Sequence, residues 1–152
     1  MNTDNNLNNN IKDVIERNID ACKGYEKAAE KVSNPQLSNA FREQAKQRKD
    51  FALSLEAQAN VLGSEARERV ENGTFEGNLH RTWMDVKTAF SSDKDEAVLE
   101  ECIRGEKEAL NEYNELLNES TLTGQSYDLI NSQRQTVQSC VNELERMEEL
   151  VD

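Results

Sequence analysis

The two halves of this chain repeat one pattern of residues. Residues 22–26 read Cys-Lys-Gly-Tyr-Glu, and residues 102–106 read Cys-Ile-Arg-Gly-Glu. Downstream of each comes a Gln-Arg pair with an apolar residue three positions after the arginine, namely Gln47-Arg48 with Phe51 and Gln133-Arg134 with Val137. Such a repeat predicts two similar helical hairpins. Two hairpins that pack together make a bundle of four helices, whose polar mid-section is suited to a metal or to a buried polar network.

The rest of the chain favours helices throughout. Apolar residues recur every three or four positions, Pro35 is the only proline, and aromatic residues make up 5% of the chain, so β structure has little support. We predict an all-α fold in a single domain of residues 1–152, with residues 1–6 flexible and residues 63–93 forming a crossover. The four long helices are predicted at residues 7–32, 35–62, 94–117 and 123–150.

The connections between the helices predict their topology. Ser33, Asn34 and Pro35 end the first helix and begin the second, and Gly63 is expected to end the second helix with a left-handed cap. The crossover is too long for a tight turn and carries a shorter helical pattern through Leu79, Trp83, Val86, Ala89 and Phe90. Such a length lets the third helix, capped by Ser92 or Asp93, start at the opposite end of the bundle.

Charge and hydropathy exclude several classes of partner. The formal net charge is −12, with 18 basic against 30 acidic residues, so a nucleic-acid partner is not expected. No apolar run approaches the length of a membrane span, and the Asn-rich start does not resemble a signal peptide. We therefore expect a cytoplasmic protein. Its cysteines, Cys22, Cys102 and Cys140, all fall on apolar stripes, which indicates buried free thiols; a redox or ligand role is the alternative.

Polar residues occupy the middle of the predicted inner faces. A core network is predicted from Glu26, Gln44, Gln47, Arg48, Glu106 and Gln133. Charged groups at this depth need partners, because burying an unpaired charge costs several kcal/mol. Two alternatives stay open. One is an oxygen-only site for iron or another divalent cation, built from Glu26, Glu43, Glu101 and Glu106; in the other these glutamates are simply solvated.

The crossover contains a second candidate. His80, Arg81, Trp83 and Met84 form a cluster that includes the only histidine and the only tryptophan of the chain. The cluster either pins the crossover over the bundle or forms a contact with another subunit, because tryptophan and arginine are frequent in interface hot spots. We find no nucleophile with a suitably spaced base, no phosphate-binding loop and no metalloprotease motif, so the sequence does not favour an enzyme.

These residues resemble a bacterial family of ferritin-like four-helix-bundle proteins of unknown function, often encountered in stress-related genomic settings. The resemblance is carried by residues 24–30, 45–51, 79–85 and 99–106, together with Tyr113. It implies a ferritin-like fold with a long crossover between the second and third helices, and no established reaction. Iron chemistry in the wider superfamily uses Glu-x-x-His pairs. This chain has Lys46 three residues after Glu43, and Gln135 and Gln138 in the last helix, so the di-iron pattern carries over only in part.

Three functions follow as hypotheses. The first is a non-catalytic bundle that acts through self-association, as a dimer or larger homo-oligomer, or through a partner. The second is a metal-dependent redox or storage-related protein with an oxygen-ligand site. The third is a small-molecule or lipid pocket between the crossover helix and the bundle; its ligand is unknown.

Overall fold

The computed structural model describes residues 2–75, 94–119 and 121–151, and these residues are helical without a strand. The all-α prediction is therefore confirmed for this part of the chain. The helices are α1 (Asn2–Lys31), α2 (Pro35–Ala59), α3 (Ser64–Asn72), α4 (Asp95–Leu117) and α5 (Gly124–Met147), followed by a short 3-10 turn at Glu148–Leu150. None of the described helices is long and apolar enough to cross a membrane.

The four long helices pack side by side, and side-chain contacts fix their directions. Asn10 near the start of α1 contacts Glu119 just after α4, and Ser33 just after α1 contacts Asp95 at the start of α4. Helices α1 and α4 are thus antiparallel. Because α2 turns back along α1, it ends beside the start of α1, whereas α4 begins at the other end. The connection from residue 60 to residue 94 therefore joins opposite ends of the bundle.

Two apolar clusters fill the interior. One lies near the α1–α2 turn and includes Tyr25, Leu37, Phe41 and Leu99. The other lies toward the α4–α5 turn and includes Ile15, Leu55, Leu116 and Ile130. Each of the four long helices contributes apolar residues to both clusters, which is the usual way that amphipathic helices bury one face. The polar residues described below lie between the clusters.

Several predicted helix ends are wrong by a few residues. Helix α1 begins at Asn2 rather than at residue 7. Helix α2 ends at Ala59, and Asn60 rather than Gly63 takes the left-handed cap conformation. The physical reason is that asparagine tolerates this conformation. The turn at Pro35 is as predicted, with Asn34 as the N-cap.

The crossover differs from the prediction in its first part. Helix α3 occupies Ser64–Asn72, where no helix was predicted, and Gly63 precedes it with a positive φ. The N-cap of α4 is Lys94, whose side chain makes no capping hydrogen bond. The predicted helical pattern from Leu79 to Phe90 and the predicted caps Ser92 and Asp93 lie outside the described residues.

Candidate functional site

A buried ion pair joins the two hairpins at mid-height. The guanidinium of Arg48, on α2, donates from Nη2 to Glu106 Oε2 and from Nε to Glu106 Oε1, the latter at 3.4 Å. Both side chains have 0% exposure. A fork of this kind holds the guanidinium and the carboxylate in one orientation. The pair is therefore a fixed contact between α2 and α4 rather than a surface bridge.

Two neighbouring side chains also contact the Arg48 guanidinium. Its Nη1 donates to Gln47 Oε1 at 3.0 Å, and its Cζ lies 5.3 Å from the centre of the Phe51 ring, within cation–π distance. Burial alone disfavours the charged guanidinium. The adjacent Glu106 carboxylate, together with Tyr25 and Cys140, more than offsets this effect, so the pKa of Arg48 is raised above its ordinary value. Arg48 therefore remains a cation at the centre of the bundle.

A second set of hydrogen bonds extends the polar layer toward α1 and α5. Tyr113 donates its hydroxyl hydrogen to Gln133 Oε1 at 2.6 Å and accepts from Asn18 Nδ2 at 2.8 Å. Gln133 Nε2 donates in turn to the main-chain carbonyl of Phe51 at 3.2 Å. All four long helices thus contribute to a polar layer made of Asn18, Arg48, Glu106, Tyr113 and Gln133.

The titratable groups next to this layer are held in their protonated forms. Burial raises the pKa of the Cys102 and Cys140 thiols, and the Glu106 carboxylate raises both further. The same two causes, in the same order, raise the pKa of the Tyr25 hydroxyl, which lies 3.7 Å from Cys140 Sγ. A buried neutral thiol is a poor nucleophile, because the thiolate is the reactive form. These cysteines therefore act as small apolar side chains.

The helical positions explain why these residues meet. Arg48 lies on the buried stripe of α2 between Ala45 and Ala52. Glu106 follows the buried Gly105 on α4, and Tyr113 lies two turns further along the same face. Because the inner stripes of the four long helices face the same interior, each polar residue meets its partner at the same height of the bundle.

Two members of the predicted core network are placed differently. Glu26 is exposed, because its neighbour Tyr25 faces the core and the next residue of a helix is turned about 100° away. Its carboxylate accepts a hydrogen bond from the Cys22 thiol at 3.5 Å instead. Gln44 is half-buried, and its Oε1 is shielded from solvent and has no hydrogen-bond partner among the described residues. Gln47, Arg48, Glu106 and Gln133 do lie in or beside the polar layer.

The four glutamates considered as metal ligands do not come together. Glu43 and Glu26 are exposed, Glu106 is paired with Arg48, and Glu101 accepts from Arg104 Nε at 2.6 Å on its own helix. Within the described ranges, no group of three or more histidine, cysteine or acidic side chains could hold a metal ion. The donor set that a carboxylate-bridged di-iron centre requires is not assembled by these residues.

Sequence reasoning missed Asn18 and Tyr113, although a signal was present. Asn18 lies four residues after Val14 and four before Cys22, on the predicted inner stripe of the first helix. Tyr113 lies seven residues after Glu106, on the same helical face. A polar residue in register with an apolar stripe was therefore the feature to follow. The predicted interface residues His80, Arg81, Trp83 and Met84 lie outside the described residues.

The chain was compared with known proteins at the level of sequence. No curated protein matches it. One family model matches residues 6–119, a range that includes Arg48, Glu106 and Tyr113 and ends before Gln133. The match covers well over half of the 152 residues. The chain therefore belongs to the family described as Domain of unknown function (DUF2383).

Proposed function

We propose that this protein is a ferritin-like bundle whose centre is held by an ion pair in place of a metal, and that it acts by association rather than by catalysis. The observation that carries this proposal is the fully buried Arg48–Glu106 pair. The guanidinium supplies the positive charge that metal ions supply in carboxylate-bridged bundles. Because the Glu106 carboxylate is already paired with Arg48, it is not available as a metal ligand or as a base.

The long connection between α2 and α4 supports the ferritin-like assignment, because such a crossover distinguishes that topology from an up-down-up-down bundle. The association is with a second copy of the chain, as a homodimer or larger oligomer. Its support is the composition of the crossover, where Trp83, Arg81 and Met84 occur close together. A role in bacterial stress physiology is part of the proposal on the strength of the family resemblance.

Elemental analysis tests the metal part of the proposal. Protein purified without a chelator should contain well below one equivalent of any transition metal, and Glu106→Ala should leave that content unchanged. Glu143→Ala is a suitable control, because Glu143 is exposed and pairs with Arg146 on its own helix. One or two metal ions per chain that disappear in Glu106→Ala and persist in Glu143→Ala would instead establish the alternative, an oxygen-ligand redox or storage site.

Sedimentation velocity over a range of protein concentrations tests the association. The proposal predicts a mass above that of one chain that rises with concentration. A Trp83→Ala substitution should shift the distribution toward the single chain. A protein that remains monomeric at every concentration contradicts self-association.

A further inference from the structure

A cavity of about 490 Å³ lies between α1, α2 and the end of α3. This volume is within the range of small-molecule sites. Its floor is apolar and is formed by Ile19, Ala45, Val70 and Phe75, each less than 10% exposed. The cavity can therefore hold an apolar group of modest size.

The walls of the cavity are charged, and positive charge prevails. The lining residues include four cations, Lys23, Arg42, Lys46 and Lys49, and two carboxylates, Glu26 and Glu30. The chain as a whole has a formal net charge of −12 and 18 basic residues. A local excess of cations on so acidic a protein gives the cavity the opposite sign to its surroundings, and such a site attracts anions.

Two of the four cations are available to a ligand. Lys49 Nζ donates to the Glu71 carbonyl at 2.8 Å, and Lys23 Nζ donates to the Phe75 carbonyl, so these two lysines hold the end of α3. Arg42 and Lys46 make no hydrogen bond and no ion pair in the described part of the chain. They lie four residues apart on α2, so they are neighbours on one helical face.

From this arrangement we infer that the cavity is a binding site for a small amphipathic anion. Its carboxylate or phosphate head group contacts Arg42 and Lys46, and its apolar body lies on the floor formed by Ile19, Ala45, Val70 and Phe75. A planar guanidinium beside an ammonium suits either head group, because both present two or more acceptor oxygens. The inference concerns a surface separate from the Arg48–Glu106 pair and does not depend on the self-association proposed above.

Isothermal titration calorimetry with defined probes tests the inference. Octanoate and octyl phosphate represent the two head groups, and octanol and octyltrimethylammonium have the same tail with a neutral or a cationic head. At least one anionic probe should bind saturably with one site per chain, and that binding should weaken as salt is added. Butanoate should bind at least about tenfold more weakly than octanoate, because less apolar surface reaches the floor.

Matched variants locate the site. Arg42→Gln combined with Lys46→Gln should lower the affinity for the anionic probe by at least about tenfold, the size expected for losing two charge-assisted contacts. Lys12→Gln combined with Lys27→Gln removes the same charge from exposed positions outside the cavity and should leave binding unchanged. Because Arg42 and Lys46 are exposed, the first variant should melt like the wild type, which circular dichroism checks.

Three results overturn the inference: neither anionic probe binds the wild type, octanol binds as tightly as the anions, or both double variants lose affinity equally. Tighter binding of octanoate than of octyl phosphate identifies a carboxylate ligand, and the reverse order identifies a phosphate ligand.

Discussion

At the scale of single residues, the structure turns on which polar side chains face inward. The sequence predicted that Arg48 would be buried, because it is in register with the apolar residues of α2, and it left Glu26 and Glu106 as possible partners. The structure pairs Arg48 with Glu106. Helical periodicity could not choose between the Glu26 and Glu106 carboxylates, because each of these residues directly follows an inward-facing residue. The way in which α2 and α4 face each other across the interior decides that Arg48 pairs with Glu106.

Tyr113 should stabilise the fold through its hydroxyl group. Tyr113→Phe leaves Gln133 Oε1 and one hydrogen of Asn18 Nδ2 without their partner in a buried setting. We expect a loss of about 1–3 kcal/mol in the free energy of unfolding, measured by urea denaturation. Tyr127→Phe removes a hydroxyl from a residue that is 39% exposed and should change stability by less than about 0.5 kcal/mol. Equal effects of the two substitutions would contradict the second hydrogen-bonded set.

Asp20 should make stability depend on pH. Burial raises its pKa to about 7, and Arg17 opposes this shift. In the part of the chain that the structure describes, one of its carboxylate oxygens has no hydrogen-bond partner. An aspartate whose folded pKa is raised binds more protons when folded, so its contribution to stability is lost as pH rises from about 4 to about 7. Asp20→Asn mimics the protonated form. The stability of Asp20→Asn relative to the wild type should therefore increase as pH rises from about 4 to about 7.

Thermal melts between pH 4 and pH 8 measure the effect of Asp20→Asn. Asp50→Asn is the control, because Asp50 is exposed on α2, and its difference from the wild type should not follow the same course. An advantage of Asp20→Asn that shrinks as pH rises would contradict the assignment.

At the scale of helices, the structure depends on the polar contacts that satisfy the helix ends. Helix periodicity predicted the four long helices and the turn at Pro35, because these depend on local residue patterns. It missed α3 and the role of Glu56. The buried Glu56 carboxylate accepts from the amides of Val61 and Leu62, at 2.9 and 2.8 Å, and pairs with Arg67. A helix end that is satisfied in this way has no periodic signature.

Asp95 should hold the start of α4 against the α1–α2 turn. Its carboxylate accepts hydrogen bonds from the main-chain amides of Ser33 and Asn34, both at 2.9 Å. Asp95→Ala should lower the free energy of unfolding by about 1–2 kcal/mol and should speed hydrogen exchange at those two amides. Glu96→Ala is the matched control, because it removes the other acid from the first turn of α4 without touching the α1–α2 turn. Equal exchange in both variants would show that this contact does not form.

At the scale of the whole molecule, two hairpins enclose a polar layer between two apolar clusters. The internal repeat predicted the hairpins. The length of the crossover predicted that α4 would begin at the end of the bundle opposite to the one where α2 ends. The cavity beside Arg42 and Lys46 could not be located from the sequence. Its lining comes from three helices, and its positive charge is visible only when charges distant along the chain are brought together.

The Arg48–Glu106 pair is the central claim, and a double-mutant cycle in urea tests it most directly. Arg48→Met and Glu106→Leu should each lower the free energy of unfolding by about 3–5 kcal/mol, because each leaves a buried charge unpaired. The double variant should cost less than either single variant, since apolar side chains of similar size can replace a buried pair. Single costs below about 0.5 kcal/mol that simply add in the double variant would contradict the account.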